Sequence, residues 1–292
     1  MEVDRRSLMK GMLASGALLV LGVPSWTFAD QPARRPKHCM LVLSGTGADE
    51  AFARGTQAAC SAMMYESCRT VHLKGGLLPG MDEMVNLLDH SRGVRMIAIL
   101  DDAGAVMFLE LARPAGVRML SMGTHACSTD RPWPIRHDLA STSQDHSAGG
   151  LLASQLILGQ GSFSIIESYL HDASGGFART AWSAPGFCSY RSAESDPIHL
   201  HCSGLSLPDG CRLLTLDTPE KWIPIPPQVY DRDSTTPRSE NWVEAVGYAV
   251  TASALGMDSL KETCSSRAFL HRTTNGERAG PQERFMSFVM DL

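Results

Sequence analysis

The stretch that decides the fold is Cys39-Met40-Leu41-Val42-Leu43-Ser44-Gly45-Thr46-Gly47. It opens with an unbroken apolar run, which is typical of a strand buried on both faces, and its Ser-Gly-Thr-Gly end predicts a tight turn. A helix is expected next, because Phe52, Ala59 and Met63 recur with a helical period and Asp49 is placed to cap the first turn. A strand, a glycine turn and a helix in this order indicate an α/β fold.

The same alternation continues along the chain. Further strands are predicted at residues 70–73, 95–100, 117–122 and 163–168, with a short extended segment at residues 135–139. Helices are predicted at residues 81–89, 103–112 and 147–158. Alternating strands and helices favour right-handed crossovers, and therefore a Rossmann-like, doubly wound parallel sheet with helices on both faces.

Three pieces of this region resemble the first lobe of type I periplasmic binding proteins and their repressor relatives. Residues 50–59 resemble the first helix of that family, and residues 116–123 resemble its fourth strand. Asp138 and the helix at residues 147–159 follow in the family's order. The resemblance covers residues 39–168 and implies a type I periplasmic-binding-protein-like fold with a ligand cleft.

The second half is expected to be atypical, because the remaining chain is shorter than a complete second lobe of that family. We therefore divide the sequence into a signal peptide at residues 1–29, a first lobe at residues 30–160 and a second α/β part at residues 161–292. The second part contains a Pro-rich segment at residues 219–237. It also contains a segment at residues 179–190 that would match a helix of the family, a helix at residues 240–255 that Ser239 caps, and a last strand at residues 284–290.

The first 29 residues predict an export signal. Residues 4–10 are rich in basic groups and residues 11–23 are apolar. Thr27 and Ala29 offer small side chains at the -3 and -1 positions of a cut before Asp30. The apolar stretch is shorter than the roughly 20 residues of a membrane-spanning helix. Arg5 and Arg6 resemble a twin-arginine signal, which implies export of the folded chain to the periplasm by the Tat translocon. A Sec signal that happens to contain two arginines is the alternative.

Composition excludes several classes of protein. Of the 292 residues, 43% are hydrophobic and 20% are charged, which excludes a disordered chain and a fibrous repeat. The net charge of -5 argues against a general nucleic-acid binder. The eight cysteines contain no Cys-x-x-Cys pair, which argues against zinc-ribbon and iron–sulfur sites. Cys202 and Cys211 flank a turn-like segment, and we expect a local disulfide between them.

Candidate ligand-binding residues follow the predicted strands, since open α/β sheets bind ligands beyond the carboxyl ends of their strands. The resemblance assigns the same loops to ligand contacts. The candidates are Ser44, Thr46 and Asp49 after the first strand, Asp101 and Asp102 after the third, His125 after the fourth and Asp138 after the fifth. The alternative is that Asp49 and one of Asp101 and Asp102 only cap helices.

The sequence contains fewer features of an enzymatic or cofactor site than of a ligand-binding site. Ser44, Asp101 and His125 suggest a triad, but the Gly-x-Ser-x-Gly elbow of a hydrolase is missing. No cofactor is indicated, because Glu50 stands where a dinucleotide site needs its third glycine.

A metal site is a further possibility. His199 and His201 would face the same side of a strand and form a weak candidate metal pair. His171 or Asp172 would supply a third ligand.

Three functions remain open from the sequence. The first is an exported protein that binds a small polar ligand in a type I periplasmic-binding-like cleft. The second is a Tat-exported periplasmic hydrolase or metal-dependent enzyme. The third is an accessory protein that docks onto partners in an envelope assembly. All three functions imply that the protein is located in the periplasm. All three also imply that it has no stable membrane span.

The export hypothesis predicts a specific effect of changing both arginines to lysine. The Tat translocon reads the Arg5-Arg6 pair, whereas a Sec signal tolerates lysine, so the R5K/R6K precursor should stay unprocessed in the cytoplasm. Cell fractionation with immunoblotting measures this outcome. Processed R5K/R6K protein in the periplasm would contradict the Tat assignment.

Overall fold

Eleven strands pair side by side in one mixed sheet, and six helices pack on its two faces, in the part of the chain that the computed structural model describes. That part comprises residue 36 and residues 38–66, 68–128, 133–159, 161–170, 184–193, 197–216, 222–226, 238–257, 264–273 and 282–292. The α/β class predicted from the sequence is therefore correct. The signal peptide and most of the Pro-rich segment lie outside the described residues.

The elements follow one another along the chain with these bounds. The strands are β1 (His38–Leu43), β2 (Arg69–His72), β3 (Val94–Leu100), β4 (Arg118–Cys127), β5 (Ile135–Ser141), β6 (Phe163–Tyr169), β7 (Cys188–Ser192), β8 (Ile198–Ser203), β9 (Trp222–Ile225), β10 (Ser266–His271) and β11 (Arg284–Asp291). The helices are α1 (Asp49–Ala62), α2 (Met81–His90), α3 (Asp102–Ala112), α4 (Gly149–Leu156), α5 (Leu207–Leu213) and α6 (Trp242–Ala254). A 3-10 turn spans Gln144–His146.

The sheet is mixed, which corrects the expected parallel arrangement. Its order is β2-β1-β3-β11-β4-β5-β6-β10-β8-β7-β9. Strand β1 runs parallel to β2 and β3, as predicted. Strand β5 follows β4 with no helix in the described residues between them, and the two strands pair antiparallel. Strand β11 lies antiparallel between β3 and β4 and separates two strands that a doubly wound sheet would place together.

The second part of the chain departs further from the predictions. Its strands β6 to β10 continue the sheet of the first part, and β11 lies inside the first part. The segment at residues 179–190 was expected to form a helix, but its described end enters strand β7. Helix α6 occurs where it was predicted, but Asn241 rather than Ser239 caps it, by accepting a hydrogen bond from the backbone N–H of Glu244 at 3.0 Å.

Two layers of helices cover the sheet. Helices α1, α4 and α6 pack on one face, which we call the α6 face, over apolar side chains such as Leu41, Ile97 and Phe285. Helices α2 and α3 pack on the other face, which we call the α3 face. Helix α5 packs on the α3 face farther along the sheet, over β8 and β10. None of the described helices has the length and apolar character needed to cross a membrane.

The disulfide joins Cys39 to Cys68 and does not join Cys202 to Cys211, the pair expected from the sequence. The two residues lie next to each other at the beginning of the parallel strands β1 and β2, with their Cα atoms 4.6 Å apart. Cys202 on β8 and Cys211 on α5 are both free and buried. The expected local disulfide is therefore wrong: the turn that suggested it is the beginning of α5, which Ser206 caps.

Helices α1 and α6 cross at two glycines. A Cβ added to Gly55 of α1 would stand 2.6 Å from the backbone nitrogen of Tyr248, and one added to Gly247 of α6 would meet the backbone of Phe52. The hydroxyls of Thr56 and Thr251 hydrogen-bond across the same contact at 3.0 Å. Side chains larger than hydrogen at the two glycines would force the helix backbones apart.

We expect Gly55→Ala to lower the free energy of unfolding by about 1–3 kcal/mol, a typical cost of overpacking a core. The clash is with backbone, which cannot move aside, so it should outweigh the roughly 1 kcal/mol that alanine gains in helix propensity. Gln57→Ala, on the exposed side of the same helix, is the control and should change stability by no more than about 0.5 kcal/mol. Urea unfolding measures both variants. Equal stability of Gly55→Ala and the parent chain would contradict the close crossing.

Candidate functional site

The strand order reverses between β1 and β3. The chain leaves β1 through α1 on the α6 face to reach β2, then crosses through α2 on the α3 face to β3 on the other side of β1. The loops after β1 and β3 therefore diverge at the carboxyl edge of the sheet, where open α/β sheets bind ligands. Thr46, Asp49, Asp101 and Asp102 lie in these loops or at the helix ends that follow them. We call this place the switch-point edge.

Asp49 organises the loop that precedes it. Its carboxylate accepts hydrogen bonds from the backbone N–H groups of Gly45 at 2.7 Å and Thr46 at 3.1 Å, and from the Thr46 hydroxyl. Gly45 has a φ of 83°, a conformation that suits glycine. The sequence suggested that Asp49 caps the helix, but its side chain instead holds the turn between β1 and α1.

Asp101 and Asp102 have different roles at the beginning of α3. Asp101 is the N-cap and accepts a hydrogen bond from the backbone N–H of Gly104 at 2.6 Å, as the capping alternative predicted. Asp102 forms an ion pair through Oδ2 with Nε of Arg284 at 2.7 Å, and its side chain is 40% exposed. Its second oxygen, Oδ1, is buried and has no hydrogen-bond partner among the described residues.

The far end of the chain completes the switch-point edge. Strand β11 is antiparallel to β3, so Arg284 and the preceding Glu283 lie beside the carboxyl end of β3. Oε1 of Glu283 lies 2.5 Å from the position that a Cβ at Gly47 would occupy, so the carboxylate covers the β1 loop. Neither residue was among the sequence-based candidates, because no local pattern connects residues 283–284 with β1 or β3.

The charges at this edge are mainly negative. Asp49, Asp101, Asp102 and Glu283 are carboxylates, and Arg284 is the cation that pairs with one of them. Carboxylate oxygens accept hydrogen bonds and attract cations, and they repel phosphate groups. The arrangement suits a ligand that carries hydroxyl or ammonium groups.

His125 does not lie in a loop after β4, which corrects its predicted location. Strand β4 continues to Cys127, so His125 lies within the sheet and is fully buried on the α6 face. Its Nδ1 lies 2.9 Å from Nδ1 of His137, and its Nε2 lies 2.8 Å from the Ser287 hydroxyl. Burial lowers the pKa of both imidazoles, that of His137 to about 3. Both rings are therefore neutral near pH 7 and belong to the core.

Asp138 also lies away from the switch-point edge. It sits in the middle of β5 on the α3 face, between Thr124 of β4 and Ile166 of β6. Burial raises the pKa of its carboxyl, and the nearby Arg136 partly opposes that shift. Because β5 runs antiparallel to β4, the carboxyl end of β5 lies at the opposite edge of the sheet, and the loop predicted there does not join Thr46 and Asp102.

His199 and His201 share one face of β8, as their spacing predicted. Their ring centroids are 6.2 Å apart, and both side chains are buried. Nδ1 of His201 lies 2.8 Å from the Ser189 hydroxyl, and its ring stacks on Phe269. Among the described residues, no group of three His, Cys, Asp or Glu side chains could hold a metal ion. His171 and Asp172, the suggested further ligands, lie outside the described residues.

A buried carboxylate that was not among the sequence-based candidates lies at the opposite edge of the sheet. Glu167 of β6 accepts hydrogen bonds from the hydroxyls of Ser147 at 2.7 Å and Tyr169 at 2.9 Å. It also accepts them from the backbone N–H groups of Ala148 at 3.0 Å and Gly149 at 3.3 Å. Helix α4 begins at Gly149, so the carboxylate lies on the positive end of the helix. The available signal was an acidic residue inside a predicted buried strand.

Comparison of the chain with protein-family models, with curated proteins and with solved structures finds no match.

The buried histidines predict that the free energy of unfolding decreases at acid pH. Burial lowers the pKa of His137 to about 3 and that of His146 to about 4, whereas both titrate near 6.5 in the unfolded chain. Below pH 6.5 the unfolded chain binds more protons than the folded chain. Each histidine should therefore lower the free energy of unfolding by up to about 1.4 kcal/mol per pH unit, down to its folded pKa.

Urea unfolding at pH 8, 6 and 5 tests this expectation. His137→Gln should reduce the loss of stability between pH 6 and pH 5 by about 1 kcal/mol. Its stability at pH 8, where histidine is neutral in both states, serves as the control for packing. An unchanged pH dependence in the variant would contradict a buried neutral His137.

Proposed function

We propose that the protein is exported by the Tat pathway and binds a small polar ligand at the switch-point edge. The observation that carries the proposal is the set of carboxylates at the reversal of strand order. Asp101, Asp102 and Glu283 come together there from two distant parts of the chain. The Asp102 side chain is 40% exposed at this edge, so its carboxylate can accept hydrogen bonds from a ligand.

The charges define the ligand class. One guanidinium, that of Arg284, stands against several carboxylates, so the edge favours ligands that donate hydrogen bonds or carry positive charge. Sugars, amines and nucleosides have such groups. A free phosphate or a nucleotide would be repelled.

The resemblance to type I periplasmic binding proteins over residues 39–168 supports ligand binding rather than catalysis. The order β2-β1-β3, with a crossover helix on each face, is what a doubly wound lobe requires for its first three strands. The later strands join the same sheet, so we place the ligand on the edge of one sheet rather than between two lobes. The suggested triad is not assembled, because His125 hydrogen-bonds Ser287 and His137 inside the core. The described residues contain no group of three side chains that could hold a metal ion for the metal-enzyme alternative.

The disulfide supports export. Cys39 and Cys68 are bonded, and disulfides persist in oxidising compartments such as the periplasm. Arg5 and Arg6 favour the Tat pathway, in which the translocon is a transient partner. The periplasm is therefore the proposed location.

A thermal-shift screen of sugars, amines, amino acids and nucleosides at millimolar concentration tests ligand binding. A ligand at about 100 times its Kd stabilises the folded chain by about 2.7 kcal/mol, which should raise Tm by roughly 5–10 °C. Asp102→Ala should abolish the shift while changing the Tm of the free protein little, because an exposed ion pair is worth about 1 kcal/mol or less.

Arg284→Gln is the matched control. It breaks the same ion pair but keeps the Asp102 carboxylate, so it should retain the ligand-induced shift. Loss of the ligand-induced shift in both variants would mean that ligand binding requires the Asp102–Arg284 ion pair and not the Asp102 carboxylate alone. The absence of a shift with every compound would reject ligand binding here and favour the docking protein, with envelope proteins as partners.

A further inference from the structure

Three sulfur atoms meet where α1 leads into β2. Cys39 and Cys68 are disulfide-bonded, and Sγ of Cys60 lies 3.8 Å from Sγ of Cys68. Cys60 is a free thiol and is buried in the core of the α6 face. Thiol–disulfide exchange requires a thiol next to one sulfur of a disulfide, and this arrangement supplies it within one chain.

The local backbone holds the thiol against its target. Cys60 lies in the last turn of α1, and the backbone N–H of Tyr65 donates a hydrogen bond to the carbonyl oxygen of Cys60 at 2.9 Å, which closes the turn toward β2. The backbone N–H of Cys68 hydrogen-bonds the sulfur of Cys60. The backbone of Cys68 therefore holds the sulfur of Cys60 next to the disulfide that this sulfur would attack.

We propose that Cys60, Cys68 and Cys39 form an internal thiol–disulfide exchange site. The Cys60 thiolate attacks Sγ of Cys68 and forms the Cys60–Cys68 bond while the Cys39–Cys68 bond breaks. Cys39 leaves as a thiolate and takes up the proton that Cys60 released. One disulfide replaces another, so the step requires no oxidant or reductant.

Exchange changes which elements the disulfide joins. The Cys39–Cys68 bond joins β1 to the beginning of β2 over a sequence separation of 29 residues. The Cys60–Cys68 bond joins the end of α1 to the beginning of β2 over 8 residues and releases β1 from the crosslink. Strand β1 leads to the switch-point edge. The exchange proposal does not depend on ligand binding at that edge.

The pH controls the rate of exchange. Burial raises the pKa of the Cys60 thiol, and the hydrogen bond from Cys68 offsets part of this shift. Below that pKa the thiolate fraction, and with it the exchange rate, rises about tenfold per pH unit.

Alkylation of Cys39 reports the exchange. The folded, oxidised chain is incubated with N-ethylmaleimide without reductant at pH 7, 8 and 9, quenched with acid, digested and analysed by mass spectrometry. We expect alkylated Cys39 in molecules that contain the Cys60–Cys68 bond, with the initial rate increasing about tenfold per pH unit. Cys60→Ser is the matched control: it keeps the Cys39–Cys68 disulfide and the other cysteines but lacks the attacking thiol, and its Cys39 should remain unmodified.

Cys39→Ser provides an independent measurement. In this variant we expect air oxidation to produce a Cys60–Cys68 disulfide in folded protein. If Cys60→Ser does not fold, Cys60→Ala replaces it as the control. Unmodified Cys39 in the parent chain at pH 9, equal alkylation of Cys39 in parent and control, or failure of Cys39→Ser to form the Cys60–Cys68 bond would each overturn the proposal.

Discussion

Strand β11, the last strand in the sequence, lies between β3 and β4, and the rest of the architecture depends on this position. It pairs with β3 on one side and β4 on the other, so the strands before and after it belong to one continuous sheet. Its alternating side chains contribute to both cores: Phe285 and Val289 pack on the α6 face, and Met286, Phe288 and Met290 pack on the α3 face. Without β11, the unit of β1 to β3 would end in an open edge at β3.

Charged groups fix both ends of β11. At its carboxyl end, Asp291 accepts hydrogen bonds from Nε of the buried Arg95 at 2.6 Å and from the guanidinium of Arg118. Burial raises the pKa of Asp291, but the hydrogen bonds and positive charges of the two arginines outweigh this effect and lower it. Arg95 also donates to the carbonyl oxygen of Ala254 at 2.6 Å, which ties α6 to the same cluster. At the amino end, Arg284 reaches Asp102 at the switch-point edge.

The role of a polar side chain in this protein depends on whether it is buried in the core or lies at the edge of the sheet. His125, His137 and Glu167 are buried: His125 hydrogen-bonds His137 and Ser287, and Glu167 accepts the Ser147 hydroxyl, so these groups act in the packing of the sheet and its helices. Asp49 and Asp101 lie at the edge but are engaged by backbone N–H groups of their own loops. Asp102 differs, because its side chain pairs with Arg284 and is 40% exposed at the edge. For that reason the proposed ligand site lies there and not at the histidines.

The sequence by itself determined the features that depend on neighbouring residues. Apolar runs and helical periods identified β1, α1, β2, α2, β3 and α3, and the acidic residues after β1 and β3 were placed at the correct edge. Contacts between distant residues were decided only by the tertiary structure. The insertion of β11, the Cys39–Cys68 bond, the Arg284–Asp102 pair and the core location of His125 each depend on segments that lie far apart in the chain. Local periodicity reports which face of a strand or helix is buried, but strand order and side-chain partners depend on how the whole sheet assembles, and so they leave no local pattern in the sequence.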